Sequence, residues 1–290
     1  MQGTPPGYPN DTASRLAHAQ IEIINQPPTG TIRHALFDFD GTISLIRQGW
    51  QQVMIPLMVE VLLQTPQHEP EEELTRIVTK IVDQTTGKQT IYQMLQLQEE
   101  VRKRGGEPLE ALAYKRLYLD RLWERIQGRV IGLKEGRIPR EELLVPGALD
   151  MLQLLRKRGV TCYLASGTDR PYVEDESAAL GVAPYFAGGI YGAVDDYTTY
   201  SKAKLIAEIL RTHGLRGPEL AVFGDGFVEI ENAKAAGGIA IGVATDEERR
   251  SGIINAWKRE RLLRAGADII MPDFRPAAQL VAYLFDGVEP

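Results

Sequence analysis

Hydrophobic positions along this chain recur in two rhythms, and the change between them divides it. Ile32-Arg33-His34-Ala35-Leu36-Phe37 is a short, mostly apolar run of the kind that forms a buried strand. From Trp50 onward the apolar residues Trp50, Val53, Met54, Leu57, Met58, Val61 and Leu62 are alternately three and one positions apart, the stripe of an amphipathic helix. Leu74, Ile77, Val78, Ile81 and Val82 repeat that stripe, as do Ile91, Met94 and Leu95, and then Leu119, Leu122, Trp123 and Ile126. Breakers at 66–70, Thr86-Gly87, Gly105-Gly106, and Gly128 or Gly136 separate them, which predicts a bundle of about four helices.

Beyond Val145 strands and helices alternate. Pro146-Gly147 precedes a helix carrying Leu149, Leu152 and Leu155, followed by a strand at 160–165, a helix ending near Gly181 and a weak strand around Ile190. Ser201 opens a further helix, and strands are expected at 220–223, 239–243 and 268–271. Such alternation implies a parallel sheet with helices on both faces. The expected organisation is a loose Pro- and Gly-rich tail at 1–19, an α/β core at 20–46 and 144–290, and a helical insertion at 47–143. Linkers are expected near 44–49 and 143–147, and Ile21, Ile23 and Ile24 suggest a short strand after the tail.

Composition narrows the class. The 290 residues are 43% hydrophobic and 25% charged, which is ordinary for a globular protein and excludes a mostly disordered chain. A net charge of −6 argues against a surface built to neutralise nucleic-acid phosphates. Cys162 alone forms no intramolecular disulfide; it sits in an apolar strand, where a buried, inert thiol is expected. No apolar stretch approaches the ~20 residues needed to span a bilayer. The first thirty or so residues also lack a secretory pattern, so Asn10-Asp11-Thr12 reads as a chance sequon and a cytoplasmic protein without membrane or nucleic-acid partners is expected.

In a parallel α/β sheet, polar residues just past the carboxyl ends of strands collect in one crevice. Asp38 and Asp40, Ser166, Lys202, and Asp225 with Glu229 all fit that position. Acid, hydroxyl, cation and acid are the parts of metal-assisted phosphoryl transfer. Carboxylates hold a hard cation such as Mg2+, one carboxylate attacks phosphorus, and hydroxyl and ammonium groups stabilise the charge on the transferring group.

The same residues carry a resemblance. Asp38-Phe39-Asp40-Gly41-Thr42 resembles the first motif (DxDGT) of the haloacid dehalogenase-like (HAD) phosphatase superfamily. Ala165-Ser166-Gly167-Thr168 is similar to the second, Ser201-Lys202 to the third, and Phe223-Gly224-Asp225-Gly226-Phe227-Val228-Glu229 to the fourth, with Glu in the last acidic place. The likeness runs from about 32 to 285 and implies a Rossmannoid core with an inserted C1-type helical cap. It implies that Asp38 is nucleophile and metal ligand, and that Asp40 is general acid/base with its carbonyl on the metal. Thr42, Ser166, Gly167 and Lys202 would bind the phosphoryl group, and Asp225 and Glu229 would complete a Mg2+ site. Asp40 argues against dehalogenase and phosphonatase chemistry, which lack that aspartate. Lys88, in the expected cap loop at 85–90, is a candidate substrate contact, with Arg47 and Trp50 as weaker ones.

Plainer roles compete with some of these. The lesser alternative makes Ser201 simply an N-cap with Lys202 solvated, and Lys204 is the fallback cation if the register is off by one helical step. Lys88 and Glu229 are equally solvated residues, and the methionines and aromatics of the helical block are expected in its core. His18, His34, His68 and His213 show no ligand spacing, and the basic residues between 249 and 264, interspersed with acids, read as a solvated helix face. The expected function is a Mg2+-dependent phosphatase of a small phosphorylated metabolite, a sugar phosphate among the candidates. A sugar phosphomutase is the alternative, and a non-catalytic phosphate-ligand binding module a third.

Overall fold

The computed structural model describes residues 21–289; the tail expected at 1–19, with its Asn10-Asp11-Thr12 tripeptide, lies outside the described residues. In chain order the strands are β1 (Glu22–Ile23), β2 (His34–Phe37), β3 (Thr161–Asp169), β4 (Gly189–Ala193), β5 (Leu220–Gly224), β6 (Ile239–Val243) and β7 (Ile269–Met271). They form one sheet in the order β1-β7-β6-β5-β2-β3-β4. Every pairing is parallel except that of β1 with β7.

Parallel strands are covered on both faces, and the apolar residues show it with a period of two. Phe37, Phe223 and Ile241 enter one apolar cluster, while their neighbours Leu36, Val222 and Ala240 enter the other. Phe37 stacks on Phe223 with ring centroids 4.4 Å apart, a contact worth about 0.5–1.5 kcal/mol beyond its buried area.

Five α-helices follow β2 before the chain returns to the sheet at β3, and the first four are α1 (Gln51–Leu63), α2 (Glu71–Thr85), α3 (Thr90–Lys103) and α4 (Ala111–Lys134). The remaining helices are α5 (Ala148–Lys157), α6 (Arg170–Ala179), α7 (Lys202–His213), α8 (Phe227–Ala235), α9 (Ala256–Arg264) and α10 (Ala277–Asp286). In α4 the buried ridge is Tyr114, Tyr118, Leu122, Ile126 and Val130, one every four residues. Trp123, expected on that stripe, is 44% exposed, because one residue step rotates it about 100° off the ridge. The two chain segments joining this helical block to the sheet run side by side. Leu45 N–H donates to Leu143 C=O at 2.8 Å, Val145 N–H donates to Ile43 C=O at 3.0 Å, and Ser44 bridges Leu144.

Among the described residues, no helix is long and apolar enough to cross a membrane. Cys162 is buried in β3, and desolvation pushes its thiol up to about 12. Thiolate is the reactive form, so a thiol reagent such as Ellman's is expected to leave the native chain unlabelled at pH 8. It should titrate one thiol per chain in denaturant; rapid native labelling would contradict this packing.

Candidate active site

The register of the three central strands gathers the polar residues. Phe37 lies level with Leu164 of β3 and with Phe223 of β5, so the residues that follow lie side by side. β2 ends there and β5 one residue later, whereas β3 runs on through the Ser166-Gly167-Thr168 segment expected as a turn and reaches Asp169, with a register shift against β4. Asp38 N–H donates to Phe223 C=O at 2.9 Å. The sheet order reverses around β2, the kind of switch point where α/β folds open a crevice. Asp38, Asp40, Ser166, Gly167, Lys202 and Asp225 line one cleft there, with Lys88 at its edge.

Lys202 is the first residue of α7, behind the N-cap Ser201, whose Oγ accepts from Lys204 N–H at 3.2 Å. This places the Lys202 side chain inward: it is buried, its Nζ donates to Asp38 Oδ1 at 2.5 Å, and it also contacts Glu229 Oε1. Lys204 points away and donates to Thr198 C=O. Burial alone would lower the Lys202 ammonium, but Asp38 and Glu229 outweigh it and hold it charged. Desolvation drives Asp38 well above the usual carboxylate range, and Glu229 and Asp225 add to the rise. The two directions are compatible because one ammonium is shared between two buried carboxylates.

Asp40 is held differently. Its Oδ2 accepts from Ser166 Oγ at 3.1 Å and from Thr168 Oγ1 at 2.9 Å, while Oδ1 is buried without a hydrogen-bond partner. Arg47 Nε stands 4.0 Å from that Oδ1, but the Arg47 guanidinium belongs chiefly to Glu176, with Nη2 donating to Oε1 at 2.6 Å. Both residues of that ion pair are buried, and Arg47 also lines the cleft.

Thr42 departs from its expected place. It is fully buried, and its Oγ1 accepts the Asp225 N–H at 3.0 Å. Its short side chain, turned beneath the β2 loop, braces the loop after β5 instead of reaching the cleft. Lys88 is exposed, and what the loop presents at closest range is backbone: a Cβ placed on Gly167 would stand 2.5 Å from Lys88 C=O. Gln89 anchors the same loop, donating to Tyr197 C=O at 3.2 Å and Tyr200 C=O at 2.8 Å. Gly167→Ala is therefore expected to push the 86–89 loop off the strand, at a cost of about 1–3 kcal/mol. Its clearest readout is a rise in KM exceeding the fall in kcat; unchanged kinetics would show that the contact is dispensable.

Several residues that line the cleft escaped the sequence reading, Lys258 and Glu247 among them. Lys258, in the segment expected to be a solvated face, is buried, and its Nζ donates to Asp225 Oδ2 and to Glu247 Oε1, each at 2.7 Å. The available signal was Leu262 four residues on, fully buried on the same face of α9. Glu247, from the loop after β6, had no such signal.

The carboxylates are thus drawn to lysines. Among the described residues, no three His, Cys, Asp or Glu side chains are grouped so as to hold a metal ion directly.

A strand-end crevice carrying paired aspartates, a hydroxyl and a buried lysine on a Rossmann-type sheet defines a class of hydrolytic enzymes. The chain belongs to the haloacid dehalogenase-like hydrolase family, whose model matches residues 32–237. Among curated protein sequences none matches it. Solved structures share the fold at low identity. A hydrolase from Pseudomonas syringae is 17% identical with a TM-score of 0.57, the match covering 89% of this chain and 100% of the other. A predicted phosphoglycolate phosphatase from Haemophilus somnus is 16% identical at TM-score 0.54, covering 86% and 98%. A β-phosphoglucomutase from Clostridium difficile is 13% identical at 0.52, covering 80% and 98%.

Proposed function

We propose that the chain is a Mg2+-dependent phosphatase acting on a small phosphorylated metabolite through an aspartyl-phosphate. The observation that carries this reading is the division of labour between Asp38 and Asp40. Lys202 occupies Asp38 Oδ1 and leaves Oδ2 as the attacking atom. Ser166 and Thr168 occupy Asp40 Oδ2 and leave Oδ1 to carry a proton. Asp38 Oδ2 forms a bond to phosphorus as the bond to the leaving oxygen breaks, and Asp40 gives its proton to that oxygen. Water then attacks phosphorus, Asp40 takes the water's proton, and the Asp38–phosphorus bond breaks to release phosphate.

Members of this family generally use Mg2+, and the donor chemistry here suits it. Asp38, Asp40, Asp225, Glu229 and Glu247 supply only oxygen, which Mg2+ prefers, and they outnumber Lys202 and Lys258. Glu229 Oε2 is buried without a partner. Asp38 and Asp225 would hold the ion, with Glu229 behind them, and the ion would neutralise charge on the phosphoryl oxygens. The helical block at 47–143 serves in this reading as a cap, hinged on the paired segments around Ser44 and Leu144, that excludes water.

The test is phosphate release by purified chain with Mg2+ across a panel of phosphorylated metabolites. Release above background supports the reading, and none on any substrate sinks it. Conversion of a sugar 1-phosphate to its 6-phosphate without free phosphate would instead establish a mutase.

A further inference from the structure

Lys258 and Glu247 lie beyond the residues that match the family model, 32–237, and the chemistry proposed above gives neither a step of its own. Yet the fold builds them against the reaction centre. Asn255 Oδ1 caps α9 by accepting the Lys258 N–H at 3.0 Å. Leu262 seats the helix on β6 so closely that a Cβ on Gly242 would stand 2.9 Å from its Cδ1. The ammonium is therefore delivered by a rigid element. Glu247 stands beside the β2 loop: a Cβ on Gly41 would lie 3.1 Å from its Oε1 and clash with Asp225 Oδ2. Burial alone would lower the Lys258 ammonium, but Asp225 and Glu247 outweigh it and keep it charged.

Resting on the reading that Asp225 is a cation ligand, we propose that Lys258, seated by Glu247, is a positioning residue that sets the balance between cation and phosphate at this site. Its fixed charge shares Asp225 with the cation and repels it, which loosens the metal. The same charge offsets the repulsion that the surrounding carboxylates exert on a phosphate dianion, which strengthens anion binding. Removing it must move the two affinities in opposite directions, whereas a merely structural lysine would weaken both when lost.

The experiment is isothermal titration of the metal-stripped full chain with MgCl2, then with inorganic phosphate at saturating Mg2+. Lys258→Met is expected to bind Mg2+ about tenfold more tightly and phosphate at least about fivefold more weakly, as expected for one unit charge acting within a few ångströms. Lys258→Arg should stay within about threefold of the parent, and Glu247→Gln, which removes a negative charge, should weaken Mg2+ binding several-fold. Unchanged or weaker Mg2+ binding by Lys258→Met overturns the inference. If that variant does not fold, tighter Mg2+ binding by Glu247→Gln overturns it instead. Mg2+-dependent phosphate release by the parent chain alongside either result would leave the phosphatase reading standing. Absence of Mg2+ binding in every protein would end both.

Discussion

Asp38→Asn is expected to lower Mg2+-supported phosphate release by about 10^4-fold or more, the scale seen when a covalent nucleophile is removed. The amide keeps the shape of the carboxyl group but is a far poorer nucleophile. Acid-quenched single turnovers on a labelled substrate should show protein-bound phosphoryl in the parent and none in the variant. The fold should survive. Because burial and the neighbouring Glu229 and Asp225 raise the Asp38 carboxyl, its ionised form is held at a cost in the folded chain above the ordinary carboxylate range. A neutral amide removes that cost and also one of the two carboxylates paired with Lys202, which keeps Glu229, so the metal-free variant should still unfold cooperatively in urea. A variant as active as the parent would remove Asp38 from the chemistry and take the proposed mechanism with it.

Lys202→Met should combine a large loss of activity with a large loss of stability. The substitution leaves Asp38 and Glu229 buried and facing each other without the ammonium they share. Breaking a buried ion pair by removing one partner typically costs about 3–5 kcal/mol, to be read from urea unfolding of the metal-free chain. Activity should fall by about 10^2–10^3-fold, as when one preorganised charge-stabilising donor is lost. The double variant Lys202→Met with Glu229→Gln should regain part of the stability, since it removes one of the two stranded charges. Simple additivity of the two changes would show that Lys202 and Glu229 are not energetically coupled.

These predictions rest on residues of different legibility. Asp38, Asp40, Ser166 and Asp225 were readable because a run of buried strand residues ending in a polar turn is a local pattern. Parallel alternation then implies that such turns meet at one sheet edge. Lys202 was readable for a related reason: Ser201 marks a helix start, and the first helical residue lies at the same edge. The roles of Thr42 and Lys88 were less so. Both lie in the right segments, but packing turned Thr42 inward to hold the Asp225 loop, and it set the backbone of the 86–89 loop, rather than the Lys88 ammonium, against Gly167.

Local periodicity and motif order, acting over a few residues at a time, determined by themselves the α/β architecture, the run of helices between β2 and β3 and the polar segments that line the cleft. Whether a charged residue is solvated or buried is not a local property, because it depends on what distant segments bring to meet it. Lys258 and Arg259 are adjacent in one basic helix, yet Lys258 is buried against an aspartate 33 residues away, whereas Arg259 pairs with Glu22 in a half-exposed contact. The face of α9 that packs on the sheet made that choice, and only the tertiary structure contains it.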